Sequence, residues 1–210
     1  MLKLHHLKYS RSTRIIWLME ELGLPYELVS YDRDPATFRA PDSLLNSNPL
    51  GKAPTIEDGD LVIFESGAII EYVVETYGNG RLAPAKGERE RAKFLEWLHF
   101  AEGSAMFWII VVFLGKMTGD TSGAVQDFVR PELEKTLDYL ASALASNDYL
   151  LASGFSAADI QMSYVIEAAR MGGMLDGYPG LTAYLERLEQ RPAYRRAIEK
   201  GGPVALPLAG

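Results

Sequence analysis

A chain of 210 residues, 48% hydrophobic and 23% charged, is long enough for one domain or two small ones with a substantial core. Its formal charge of −7 argues against nucleic acid as a main partner, because phosphate binding needs clustered Lys and Arg. It has no cysteine, which excludes disulfides, thiolate metal sites and redox chemistry on a protein thiol.

The opening MLKLHHLKY lacks the apolar h-region of a signal peptide. The longest apolar run, Ala105 to Leu114, is about half the ~20 residues needed to span a bilayer. It reads as a helix buried on several sides. A cytoplasmic protein without a membrane partner is therefore expected.

In chain order, Leu2 to His5 alternates like a half-buried strand. Tyr9-Ser10-Arg11-Ser12 interrupts it, and Ser12 suits a helix N-cap. Ile15, Leu18, Met19 and Leu22 then repeat at helical spacing up to Gly23 at the C′ position. Tyr26 to Tyr31 alternates again. Strand, helix, strand over this length is a right-handed βαβ unit with parallel strands. A loop from Phe38 to Asn46 holds a short helix near Leu44-Leu45. A hairpin and a helix over Gly67–Tyr77 complete a thioredoxin-like order. Gly78 to Pro84 reads as a linker.

Everything beyond reads as helix. Arg89–Gly115 is one long or broken helix, and Val125–Ala145 another with Phe128, Val129, Leu133, Leu137, Leu140 and Leu144 on one stripe. Ser156 and Asp159 form a capping box, with Phe155 and Ile160 as a staple, before a central helix over Ile160–Met171. Leu181–Glu189 and Ala193–Glu199 follow, separated by Pro192. The expected fold is an α/β thioredoxin-like domain over 1–78, a linker over 79–86 and an all-α domain over 87–210.

The stretch Asn48 to Ser66, NPLGKAPTIEDGDLVIFES, carries the densest signal. Asp58-Gly59 between apolar runs predicts a type I′ hairpin. Pro54 cannot donate to a ladder and belongs at a strand's first residue. With a cis bond, the Ala53 backbone would face outward to pair with a ligand strand-fashion. Glu65 and Ser66 sit where a strand hands over to a helix. There a hydroxyl beside free N–H groups binds a carboxylate, and Glu65 accepts from an ammonium. Such a site suits the amino-acid head of a peptide.

NPLGKAP, then Glu65-Ser66 eleven residues after Pro54, then the helix GAIIEYVVETYG, resembles a cytosolic glutathione S-transferase of the serine type. The order of the two domains and the capping box before a buried helix resemble that family too. The resemblance implies glutathione as co-substrate, no metal, and a homodimer. Its activity would be detoxifying conjugation of the glutathione thiolate to small hydrophobic electrophiles, or reduction of organic peroxides. The absence of cysteine rules out the family's cysteine-dependent chemistries. The alternative is a non-catalytic member of the same fold that binds glutathione or apolar ligands, because fold alone does not fix function.

A free thiol titrates near pH 8.5, and lowering that by about two units needs roughly 2.7 kcal/mol. A helix N-terminus supplies up to ~2 kcal/mol, and a hydrogen bond to a charged acceptor about 1.5–3. A hydroxyl at the start of the first helix combines both. Tyr9, Ser10 and Ser12 compete for this role. The resemblance favours Ser10, since serine-type members place their serine four residues before an arginine, here Arg14. It also implies that Ala53 contacts the cysteinyl main chain beside Pro54, and that Glu65 and Ser66 hold the γ-glutamyl end. Lys52, with Arg39 as a weaker candidate, would approach the glycine carboxylate. Glu102 matches an acid that some relatives extend to a neighbouring subunit's glutathione. Tyr9, Phe107, Trp108 and Tyr164 are candidate walls for the electrophile. Met106-Phe107-Trp108 departs from the Met-Pro of similar members, so the electrophile is left open.

Other constellations fail. His5 and His6 point to opposite strand faces with no third ligand. No G-x-S-x-G or P-loop run exists.

Overall fold

The computed structural model describes residues 1–204. The chain begins with β1 (Leu2–Leu7), α1 (Thr13–Leu22) and β2 (Tyr26–Tyr31), followed by a 3₁₀ turn at Asp42–Asn46. Next come β3 (Thr55–Asp58), β4 (Leu61–Phe64) and α2 (Ser66–Tyr77). The four strands lie in the order β2-β1-β3-β4. β1 runs parallel to β2, pairing Leu2 with Tyr26 through Leu7 with Tyr31, and antiparallel to β3. The remainder is helical: α3 (Arg89–Phe100), a π-helical turn at Ala101–Ala105, α4 (Met106–Thr118), α5 (Ala124–Leu144), α6 (Ala157–Met171), α7 (Pro179–Glu189) and α8 (Pro192–Gly201). This is the expected α/β thioredoxin-like domain followed by helices.

By their contacts the residues group into two compact units, one of Met1–Leu82 with the segment from Glu189 onward, the other of Ala83–Leu188. Residues 205–210 of the expected helical domain lie outside the described residues.

In the first unit, α1 is enclosed nearly all round, with Thr13 through Met19 and Leu22 buried. Each fully buried Ile, Leu or Met there contributes about 1.5–3 kcal/mol. α8 packs against α1. Trp17 meets Tyr194 edge-on at 5.1 Å. Arg191 grips Glu21 with two nitrogens at 2.6 and 3.0 Å. Glu20 takes Arg196 at 3.0 Å and Lys200 at 2.5 Å. Burial pushes the Glu20 carboxyl up, but hydrogen bonds from Lys200, Tyr26 and Arg196 together hold it below its usual range.

In the second unit, α6 is the central helix, with eleven of its fifteen residues buried. The capping box forms: the Ser156 hydroxyl accepts the Ala158 N–H at 3.2 Å, and the Asp159 carboxylate accepts the Ser156 N–H at 2.8 Å. Asp159 also accepts the Leu150 N–H at 2.9 Å and the Tyr184 hydroxyl at 2.8 Å. The local cap thereby ties the preceding loop to α7.

Four local expectations are corrected. Ser12 does not cap α1 through its side chain, because its hydroxyl is taken by groups from β1. In the hairpin Asp58 pairs with Leu61, so the turn residues are Gly59 and Asp60. Only Gly59 has a positive φ, +63°, the pattern of a type II′ turn. The apolar run in α4 buries one face only, through Met106, Ile109, Val112 and Gly115. Phe107, Leu114 and Met117 are 54, 51 and 66% exposed. Phe128 is likewise 66% exposed, off the buried stripe of Val129, Leu133, Leu137 and Leu140. Arg89–Thr118 taken as one helix is long and apolar enough to cross a membrane by length and composition, but its α3 half is charged and its α4 half contributes to a core.

Two outcomes follow from these contacts. Asp159→Ala leaves the Leu150 and Ser156 N–H groups and the Tyr184 hydroxyl without their buried acceptor. About 3 kcal/mol of stability should be lost, read as a lower denaturant midpoint, with Asp159→Asn losing less. For Glu20 the folded pKa lies below the ordinary 4.5, so its contribution is present above that value and lost as pH falls through the folded pKa. Acid titration below pH 4.5, followed by tryptophan fluorescence, should show a steeper loss of stability in wild type than in Glu20→Gln.

Candidate active site

The turn between β1 and α1 holds all three candidate hydroxyls. Tyr9 adopts φ 57°, a conformation costing a non-glycine residue of order 1 kcal/mol. Arg33 holds it there, donating to the carbonyls of Lys8 and Tyr9, each at 2.9 Å. The Tyr9 ring lies 6.1 Å from Phe38. Ser10 Oγ sits 2.6 Å from Ser12 Oγ and accepts the Ser12 N–H at 3.2 Å. Ser12 is 0% exposed and Ser10 is 7% exposed, so of the two serines only Ser10 presents any surface to a ligand. The Ser12 hydroxyl lies 2.7 Å from His6 Nδ1, accepts the Leu7 N–H at 3.2 Å and has the Leu7 carbonyl as a second acceptor at 3.2 Å. His6 Nε2–H donates to the Gly201 carbonyl at 2.8 Å. Burial pushes the His6 imidazole below its usual pKa.

The loop before β3 is built on Asn48, which is 4% exposed. Its Oδ1 accepts the N–H groups of Leu50 and Lys52 at 2.9 and 3.3 Å. Its Nδ2 donates to the Lys52 carbonyl and to Thr55 Oγ1, each at 2.6 Å. One amide thus holds the backbone before Ala53 and the Thr55 side chain after Pro54; the Ala53–Pro54 peptide bond is cis. Pro54 is buried and Ala53 half-buried, while Lys52 is exposed.

Glu65 ends the hairpin at φ 77° and is exposed. Ser66, the first residue of α2, is 3% exposed. Its Oγ accepts from Arg14 Nη1 at 3.1 Å, which leaves the hydroxyl proton available to a further acceptor. Arg14 is 2% exposed and lies one turn beyond Ser10. The helix-start amides, the Ser66 hydroxyl and a buried guanidinium make this end electropositive.

The other candidates are less converged. Arg39 is exposed in the loop after β2, and no described contact joins its side chain to the 48–66 segment. In the helical unit Glu102 lies in the π-helical turn. Trp108 stacks edge-on with Phe107 at 4.7 Å and meets Phe128 at 6.1 Å. Tyr164 is half-buried on α6. A cavity of about 360 Å³ there is lined by Val112, Lys116, Arg130 and Met174 among others and includes none of the candidate catalytic or glutathione-binding residues. Among the described residues no group of three His, Asp or Glu could hold a metal.

Three participants escaped the sequence reading. Arg14 enters there as a spacing marker, Asn48 as the first residue of the 48–66 stretch, and His6 as a rejected metal ligand. The Asn-Pro-x-Gly run could have revealed Asn48, since Asx side chains bond their own backbone two residues on. Nothing local signals that Arg14 and His6 have distant partners.

Comparison with known proteins identifies the family. Residues 1–75 match the family model for the glutathione S-transferase N-terminal domain, and residues 109–200 that for the C-terminal domain. Glutathione S-transferase 3 of Schizosaccharomyces pombe is 36% identical, covering 95% of this chain and 88% of the relative. Glutathione S-transferase 1 of Saccharomyces cerevisiae is 27% identical, covering 95% and 94%. Among solved structures, a glutathione S-transferase from Actinobacillus pleuropneumoniae superposes with a TM-score of 0.91 at 32% identity, covering 100% of this chain and 97% of that one. A sphingomonad glutathione S-transferase solved with glutathione gives 0.77 at 25% identity, covering 95% and 98%. With family models on both halves and close relatives along nearly its whole length, this chain belongs to the glutathione S-transferase family.

Proposed function

We propose that the first unit binds glutathione extended along the loop that precedes β3 and that Ser10 activates its thiol. In this reading the Ser10 hydroxyl donates to the sulfur at the mouth of α1. The Ala53 main chain pairs with the cysteinyl residue, and Glu65 and Ser66 hold the γ-glutamyl group. Lys52 approaches the glycine carboxylate. Arg39, exposed and without a described link to this segment, contributes at most to the same end.

The observation that carries the reading is the Arg14–Ser66 hydrogen bond at 3.1 Å. A single buried side chain, one turn from Ser10, supports the residue expected at the opposite end of the tripeptide. The distance between thiol donor and carboxylate donor is thereby set by one rigid link, the kind of preorganisation that differential transition-state binding requires. The thiolate then adds to small hydrophobic electrophiles or attacks organic peroxides. We further infer a cytoplasmic homodimer serving detoxification. The exposed apolar face of α4 and α5, with Phe107, Leu114 and Phe128, is a surface a second copy would cover.

Conjugation of 1-chloro-2,4-dinitrobenzene tests the assignment. Ser10→Ala should lower kcat by about a hundredfold, the effect of removing one preorganised donor from a developing anion, with glutathione affinity nearly unchanged. Full activity in Ser10→Ala with loss in Ser12→Ala would move the role to Ser12. Wild type retained on immobilised glutathione but without turnover would favour the binding-protein alternative. Ser66→Ala should weaken glutathione binding by about tenfold by calorimetry, with the ultraviolet thiolate signal at saturation unchanged.

A further inference from the structure

A thiol that ionises must hand its proton to something, and Ser10 is a donor rather than a base. We propose that the proton travels from the glutathione sulfur through Ser10 and Ser12 to His6 Nδ1, where it is held by the C-terminal end of α8. This rests on Ser10 being the residue that meets the sulfur.

The path is continuous. Ser10 Oγ and Ser12 Oγ are 2.6 Å apart, and Ser12 Oγ and His6 Nδ1 are 2.7 Å apart. The far end of the chain fixes the tautomer. Gly201 offers His6 a carbonyl, which only accepts, so Nε2 carries the proton and Nδ1 is a free base. Two acceptors are within reach of the Ser12 proton, His6 Nδ1 at 2.7 Å and the Leu7 carbonyl at 3.2 Å. The nearer, that base, receives it, and the Ser12 oxygen receives the Ser10 proton. In the transfer the S–H bond breaks and its proton joins Ser10 Oγ. The Ser10 proton passes to Ser12 Oγ, and the Ser12 proton forms a new N–H bond at His6 Nδ1. Thiol and neutral imidazole become thiolate and imidazolium, with both serines left neutral and every hydroxyl now pointing toward the sulfur. After the thiolate has reacted, the proton returns along the same chain to the leaving group or to water.

The surroundings of His6 are consistent with a base that is neutral at rest and can hold a proton once a thiolate faces it. It is 0% exposed, and burial keeps the resting ring neutral. Gly201 is the last residue of α8, so the Nε2–H meets a helix C-terminus, whose dipole favours a cation. The approach is close: a Cβ at Gly201 would stand 3.2 Å from His6 Nε2 and Cε1 and 2.5 Å from Ile16 Cδ1, so a larger residue would press on the ring. Of the charged groups on neighbouring elements, Lys8 on the chain after β1 opposes the imidazolium and is itself paired with Asp32 at 2.6 Å. On α8 Lys200 is engaged by Glu20, and on α1 Arg14 is engaged by Ser66.

The test counts protons. Glutathione is added to the full-length protein in weak buffer with an indicator dye, thiolate is read by its ultraviolet absorbance, and the ring nitrogens of His6 are followed by ¹⁵N NMR. The chain has three histidines, so His5→Gln and His99→Gln complete the assignment. The expected result is fewer protons released than thiolates formed, with His6 Nδ1 becoming protonated. S-methylglutathione, which has no thiol proton, should leave His6 neutral. Ser12→Ala should cut the thiolate fraction about tenfold, one pKa unit, at unchanged glutathione affinity. His6→Asn, which keeps a polar group beside Ser12 but no base, should release one proton per thiolate. One proton released per thiolate in wild type, an unprotonated His6 Nδ1, or an equal response to S-methylglutathione overturns the relay. If Ser10→Ala keeps the thiolate signal, the Ser10 reading fails as well. If it loses the signal while wild type releases protons one for one, the relay alone fails.

Discussion

The hydroxyl of Ser12 joins β1 and α1 and, through His6, the distant α8. It accepts from the last residue of β1, stands at the entry to α1, and meets His6, whose other nitrogen is fastened to the end of α8. A buried hydroxyl with this many partners is costly to disturb, because each group left unpaired carries its own desolvation penalty of about 1–3 kcal/mol. The turn that holds Ser10 therefore has little freedom. The outer clasp of Arg191, Arg196 and Lys200 on Glu20 and Glu21 holds α8 in register with α1, so the helix covering α1 also helps to position the chemistry.

The same logic extends to the segment proposed to hold the tripeptide. Arg14 reaches from α1 to Ser66, and Asn48 holds the backbone before Ala53 and the Thr55 side chain after Pro54. Both side chains are almost fully buried. The groups expected to touch glutathione stand on or beside these supports, which agrees with the rule that a site is held by the packing behind it. The positive φ of Tyr9 and Glu65 adds to this picture. Strain at two non-glycine residues of the proposed site persists only where surrounding contacts over-determine the backbone.

Family membership and chemistry rest on different observations. The relatives and family models span both halves of the chain. The reading of individual residues rests on distances within the first unit. The helical unit contributes a fold built around Asp159 and α6, and an apolar face on α4 whose exposure distinguishes it from a helix enclosed in a core.

Periodicity and punctuation in the sequence were enough to determine the elements and their order. Alternation marks β1 and β2, Gly23 ends α1 at φ 64°, and Ser156 with Asp159 starts α6, because these signals act within a few residues. The Asn48–Ser66 run and Ser10's spacing from Arg14 are local signals of the same kind, and the proposed glutathione site is read from them. What only tertiary structure decided were interactions across long separations. His6 meets Gly201 across 195 residues, and Arg14 meets Ser66 across 52. Ser12 looks like a cap because its type and place suit one, yet partners from β1 compete for its hydroxyl and win. A ten-residue apolar run in α4 gives no sign of which face lies bare. Local sequence encodes what a residue can bond, and the fold alone determines which of those bonds is within reach.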